Sequence, residues 1–209
     1  MIDRRIVFAV ICLLTAAAAA QTGLGKLPDS EQIEAGMKPC PASSMNSAVQ
    51  DNTVAGHLMC PYKIRLLPVS SFPQLPALVA KELDERGCMI PQTYAAGGPE
   101  NVINGSFERP GSDDWAALCS VRGSTTLYVF FQSDISHPIA LRRQPDDKWL
   151  GVEWSFDYGS AWGILTVPAR AMPRTDKMDH DGIEDAFVER SSVIHYYRHG
   201  HWTSLESDD

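Results

Sequence analysis

Four residues near the end of the chain have the types and spacing for chemistry. They form Asp179-x-Asp181-Gly182-x-x-Asp185. Alternating carboxylates, a glycine that permits a sharp bend and a further carboxylate three residues on can wrap a Ca²⁺ ion in oxygen. The same residues also make a good turn without any ion. Asp179 and Asp181 would then accept nearby backbone N–H groups, and Asp185 would cap or pair. Both readings stand at the level of sequence, and Ca²⁺ is the cofactor that the first implies.

Other constellations carry less. His195, His199 and His201 crowd one segment with Tyr196, Tyr197, Arg198 and Trp202. Imidazoles on one face hold transition metals, but Gly200 predicts a turn between the histidines, and Tyr, Trp and Arg equally suit a contact surface. Glu153 and Asp157 share strand parity close to Trp149, Trp154 and Trp162. Paired carboxylates beside tryptophans are the equipment of a glycan-cutting cleft; buried tryptophans and solvated acids are the plainer account. Ser160, in Tyr-Gly-Ser-Ala-Trp-Gly, does not fit the Gly-x-Ser-x-Gly nucleophile turn. No His-Glu-x-x-His is present. Asn104-Gly105-Ser106 matches the N-glycosylation pattern and equally a turn.

The compartment follows from the first twenty residues. Arg4 and Arg5 precede the uncharged apolar run Ile6–Leu14, and Ala16–Ala20 supply small residues before Gln21. This is the grammar of a cleaved secretory signal, 1–20, cut near Ala20/Gln21 and delivering the rest to the periplasm or the exterior. The apolar run is short for a span of ~20 residues, and no later stretch is long enough. Cleavage leaves Cys40, Cys60, Cys88 and Cys119. In an oxidising compartment an even count reads as disulfides, with three pairings open. Cys40–Cys60 and Cys88–Cys119 are favoured because each closes a short loop, with a stabilisation of ~3 kcal/mol apiece. No Cys-x-x-Cys supports zinc. The 209 residues carry a net charge of −8 and no Lys/Arg cluster, which argues against nucleic acid and anionic membrane as partners.

The elements that must position these groups can be sketched. Residues 21–58 are rich in Ser, Gly, Pro and Ala and read as a loose arm; 59–209 read as one domain. Lys63–Val69 predicts a short edge strand, because its proline is unsuited to the middle of a sheet. Leu75, Leu78, Val79 and Leu83 recur at helical spacing over 77–86, and Gly87 stops the helix. Strands are predicted around 102–107, 115–121, 125–131, 149–158, 162–167, 187–188 and 193–197. The sum is a β-rich α+β fold, a mostly antiparallel sheet of roughly seven strands with one main helix. Glu108–Ala117 and Asp179–Val188 are locally alike, each with a glycine three residues before an aspartate and then a short strand.

The Asp179–Asp185 loop, the strand Ala186-Phe187-Val188 and the hairpin to Trp202 resemble the calcium loops of the FG-GAP and VCBS repeat families. That resemblance implies Asp179, Asp181 and Asp185 as metal ligands. In those families a further acidic or Asn ligand stands two residues before the first; here Lys177 holds that place, with Asp176 one residue behind it. The chain has room for about two such units, fewer than a propeller needs. Gly87-Cys88-Met89-Ile90-Pro91-Gln92 and Asp179–Phe187 also resemble a family of exported bacterial proteins, a likeness that supplies no activity. The expectation is a non-catalytic exported module that binds or supports a protein or glycan partner, with calcium as a stabiliser. The alternative is a glycan-acting hydrolase with Glu153 and Asp157 as its acids.

Overall fold

A computed structural model describes residues 32–39, 53–54, 57–149, 160–172, 178–188 and 190–206, with side chains described from Ile64 onward except at 147, 149 and 206. The signal segment 1–20, Cys40, Glu153, Trp154, Asp157, Asp176 and Lys177 lie outside these residues, and so does the predicted Cys40–Cys60 bridge.

In chain order the elements are β1 (Gln32–Pro39), β2 (Thr53–Val54), β3 (His57–Pro68), α1 (Ala77–Glu85), β4 (Met89–Gln92), β5 (Val102–Gly105), β6 (Asp114–Val121), β7 (Ser124–Phe131), β8 (Asp134–Pro145), β9 (Trp162–Val167), β10 (Gly182–Phe187), β11 (Ser191–Arg198) and β12 (His201–Glu206). They form a β-rich α+β fold of two antiparallel sheets. The first has the order β1-β3-β4-β6-β7-β8, with β2 on β3 and β5 on β6; the second runs β12-β11-β10-β9.

β7 is an interior strand of the first sheet, paired between β6 and the edge strand β8, and its sequence, Ser-Thr-Thr-Leu-Tyr-Val-Phe-Phe, can be covered on both faces. One face packs under the helix. Val79 and Leu83 of α1 meet Ala117, Cys119 and Phe130 there. The other face meets the second sheet, with Leu118, Leu127, Val129 and Phe131 against Trp162, Ile164 and Ile183. The molecule is therefore layered helix, sheet, sheet.

The helix ends as expected. Gly87 takes φ +73°, its N–H donates to Asp84 O (2.9 Å), and the Cys88 N–H donates to Leu83 O (3.0 Å). This double closure uses a residue free to adopt the left-handed conformation. Leu78 departs from the expected apolar stripe and is exposed, because only Leu75, Val79 and Leu83 at strict four-residue spacing reach the core. The next residue, Cys88, bonds to Cys119 of β6 with Cα atoms 4.9 Å apart, one of the two favoured pairings.

Two expectations for the strands are corrected, and two strands, β8 and β12, were not expected. The predicted edge strand at Lys63–Val69 belongs to β3, which has β1 on one side and β4 on the other. Its proline is accommodated because Pro68 is the last residue of the strand. Part of the N-terminal arm is strand, since Gln32–Pro39 pairs with Met59–Leu66; ladder hydrogen bonds need no apolar side chains. β8 and β12 carry no strong apolar alternation. Each is the edge of its sheet, where one neighbour supplies the pairing and a proline such as Pro138 is tolerated. Tight two-residue turns join β6 to β7 through Arg122 (φ 51°) and Gly123 (φ 76°), and β11 to β12 through His199 (φ 52°) and Gly200 (φ 84°).

Candidate functional site

The three aspartates of the loop go to three different places. The Asp179 side chain is 73% exposed and accepts a hydrogen bond from the Tyr196 hydroxyl at 3.1 Å. Next to it, His180 stacks flat on the Tyr196 ring, 4.3 Å between centroids. Asp181 ties its loop to a neighbouring one: its carboxylate accepts the Ser106 N–H (3.0 Å), and its own N–H donates to Ser106 O (2.9 Å). Asp185 lies in the middle of β10, where strand alternation turns its side chain inward between the sheets. It is fully buried and accepts from Trp162 Nε1 (2.7 Å), Arg142 (2.9 Å) and His195 Nε2 (3.0 Å).

Among the described residues, no group of three or more His, Cys, Asp or Glu side chains is placed to hold a metal ion. The observed partners are those of a turn with a pairing residue behind it. The related first unit behaves similarly. Asp114 is buried, and its carboxylate accepts the N–H groups of Phe107 (2.8 Å), Glu108 (2.7 Å) and Gln132 (2.8 Å) and the Ser112 hydroxyl.

The histidine trio is divided by the fold. His195 faces the sheet interface on β11, His199 occupies the turn and His201 opens β12; the last two are exposed. Because the carboxylate of Asp185 can only accept, His195 Nε2 donates to it, and Nδ1 lies 3.3 Å from Ser204 Oγ, within hydrogen-bond distance. Ser204, His195 and Asp185 thus form a chain of hydrogen bonds across three strands. In a hydrolytic triad the carboxylate is free to balance the charge of an imidazolium. Here Asp185 is also paired with Arg142 of β8, and the chain ties β10, β11 and β12 to one another. Burial pushes the Asp185 carboxyl up, but the hydrogen bonds from His195 and Arg142 and the arginine charge outweigh it. The net shift is below the usual carboxylate range, and the group is ionised at neutral pH.

Of the other sequence candidates, Trp162 is core, 1% exposed, and Ser160 is buried. Asn104 and Gly105 are not a turn but the end of strand β5, paired with Trp115 and Asp114 of β6, and the Asn104 amide donates to Asp113 Oδ1 (2.7 Å) and the Asp114 carbonyl (2.9 Å).

A more open feature lies on the opposite face of the first sheet. Helix α1 is nine residues long and covers only part of the face that Ala117, Cys119 and Phe130 present. Beyond its C-terminus the sheet floor stays open, forming a groove of about 330 Å³. Thr126 and Tyr128 of β7 and Ala140 of β8 form the floor, with Ser124, Arg143 and Arg86 around them. Arg86 lies over the Tyr128 ring (5.1 Å to its centroid) and is held from behind by Glu82 at 3.3 Å. Arg143 stands opposite Thr126 in the β7–β8 register, and its Nε donates to Ser124 Oγ at 3.0 Å. The Cys88–Cys119 bridge fixes the helix end against the same floor.

No sequence motif marked this groove. Arg86, Tyr128 and Arg143 are far apart in the chain, and only the β7–β8 pairing and the helix docking bring them together. No family model matches the chain, and neither does any curated protein or solved structure.

Proposed function

We propose that the chain is an exported, non-catalytic binding module whose ligand sits in the groove beside α1. The observation that carries this reading is the groove itself. It has a rigid floor of paired strands, an aromatic ring and polar groups converging on one concavity, within the size range of small-molecule sites. The Cys88–Cys119 disulfide is of the kind that persists in oxidising compartments. Among the described residues no helix is long and apolar enough to cross a membrane.

The Asp179–Asp185 loop is read as structural. Its innermost carboxylate is committed to Arg142, Trp162 and His195. The glycan-hydrolase alternative rests on Glu153 and Asp157, which lie outside the described residues.

The test is a fragment screen by ¹⁵N chemical-shift mapping on the protein expressed with its own leader. Shifts clustered at Ser124, Thr126, Tyr128 and Arg143 are expected. Hits that gather elsewhere, or nowhere, contradict the reading. Intact mass of the exported product should show loss of residues 1–20 and oxidised cysteines.

A further inference from the structure

We propose that the groove selects a small ligand bearing a carboxylate, held between Arg86 and Arg143, with its ring or apolar body on Tyr128 and Ala140. This rests on the reading of the groove as the ligand site and names the chemistry it takes. The first argument is charge. Acidic residues outnumber Lys and Arg by 26 to 18 in this chain, yet among the described residues the groove is lined by two arginines and no acid, Glu82 reaching only the back of Arg86. A local reversal of sign in a concavity focuses field toward an anion.

The second argument is how each arginine is held. Arg143 makes no ion pair among the described residues. Its Nε is oriented by the Ser124 hydroxyl, leaving the two terminal nitrogens of the fork available. Arg86 shares its charge with Glu82, but the pair is partly exposed, with side chains 35% and 22% accessible. Glu82 and the Tyr128 ring together fix its plane at the groove mouth. A planar guanidinium pre-aligned in this way matches the two oxygens of a carboxylate.

The third argument is the floor. Tyr128 presents a half-buried ring, with Arg86 over its face, beside the small exposed side chain of Ala140, so the apolar contact is to Ala140 and to the part of the ring that Arg86 leaves uncovered. That gives a flat organic acid or a sugar acid apolar contact in addition to the charge pair.

The experiment is calorimetric titration of the disulfide-intact protein with a uronic-acid disaccharide and with benzoate. Each is run beside an uncharged counterpart, a neutral disaccharide and benzyl alcohol, and beside inorganic phosphate. At least one acid is expected to bind about tenfold or more tighter than its neutral partner and than phosphate, which corresponds to a single good charge-assisted contact. Which acid binds assigns the source, sugar or simple organic. Arg143→Gln and Arg86→Gln should each weaken the acid about tenfold and leave its neutral counterpart unchanged. Arg143→Lys should retain part of the affinity, and Arg170→Gln, on an exposed turn elsewhere, should have no effect.

Neutral compounds that bind in the groove as tightly as the acids, or phosphate that binds more tightly, overturn the carboxylate assignment while leaving the groove as the ligand site. Equal losses in Arg170→Gln and Arg143→Gln also overturn it, since bulk charge would then explain the affinity. Absence of any groove response to acids and neutrals alike overturns the binding reading beneath it. Unchanged melting of Arg143→Gln, whose side chain is exposed, separates lost binding from lost folding.

Discussion

The turn before β6 and the turn before β10 have matching sequences and different structures. Gly111 and Gly182 each stand three residues before a buried aspartate, Asp114 and Asp185. Gly111 lies in the turn with φ +75° and open space around it. Gly182 is already strand, and a Cβ there would run into Met172 Cε and meet Ile194 Cγ2 at 3.0 Å and the His195 carbonyl at 3.1 Å. One glycine is needed for backbone conformation, the other for close packing. Asp114 satisfies backbone N–H groups of its own loop and of the next turn. Asp185 gathers side chains from β8, β9 and β11. A short sequence likeness therefore does not establish a repeat; what the carboxylate meets decides its role.

The largest expected effect tests that contrast directly. Asp114→Ala strands three backbone N–H groups, including that of the fully buried Phe107, and should cost about 4 kcal/mol in urea unfolding. Asp185→Ala removes the acceptor of the buried Trp162 Nε1 and of His195 together with the partner of a one-third-exposed arginine, of which only the arginine can turn to water, and should cost about 3 kcal/mol. Adding Arg142→Met should recover part of the second loss in a double-mutant cycle. No side-chain change should rescue the first, because its partners are main chain. Equal rescue of both would erase the distinction.

Next in size are the glycines. Gly182→Ala should destabilise by about 2–3 kcal/mol, since the Met172 end can shift but the His195 carbonyl cannot. Gly111→Ala should cost only about 1 kcal/mol of left-handed strain. A reversed order would show that the two turns are not built as described.

Acid sensitivity separates the aspartates further. The folded Asp185 carboxyl is more acidic than an unfolded one. Just below the unfolded value of about 3.9 the unfolded chain binds more protons. The stability this group supplies is therefore present above that pH and lost as pH falls through the folded value. Asp185→Asn should flatten that part of the acid limb of the melting profile. An unchanged limb would show that Arg142 and His195 do not govern this carboxyl. The smallest expected effect is that of Ca²⁺. Melting midpoints with the ion and with chelator should coincide, because a ligand specific to the folded state must raise the midpoint.

What was legible in the sequence was whatever depended on neighbours along the chain. The helix end at Gly87, β7 and the turn at Gly200 follow from local residue types, and the Cys88–Cys119 bridge was favoured, among three open pairings, only because it closes a short loop. β8 and β12 were not legible, because an edge strand pairs through its backbone and shows weak apolar alternation. The chain Arg142–Asp185–His195 joins residues that only strand pairing brings together, so three histidines and a loop of acids were visible while their true partners were not. The groove was hidden for the same reason: it is the part of a sheet face left open by a short helix.

Asp185 is committed inside the two-sheet core, and the groove proposed to hold the ligand lies on the helix side. A crystal grown in Ca²⁺ and soaked with a uronic-acid disaccharide or benzoate tests both halves at once. Carboxylate density between Arg86 and Arg143 and no ion at Asp179–Asp185 are the expected result. Calcium bridging Asp179 and Asp181 beside an empty groove would contradict it.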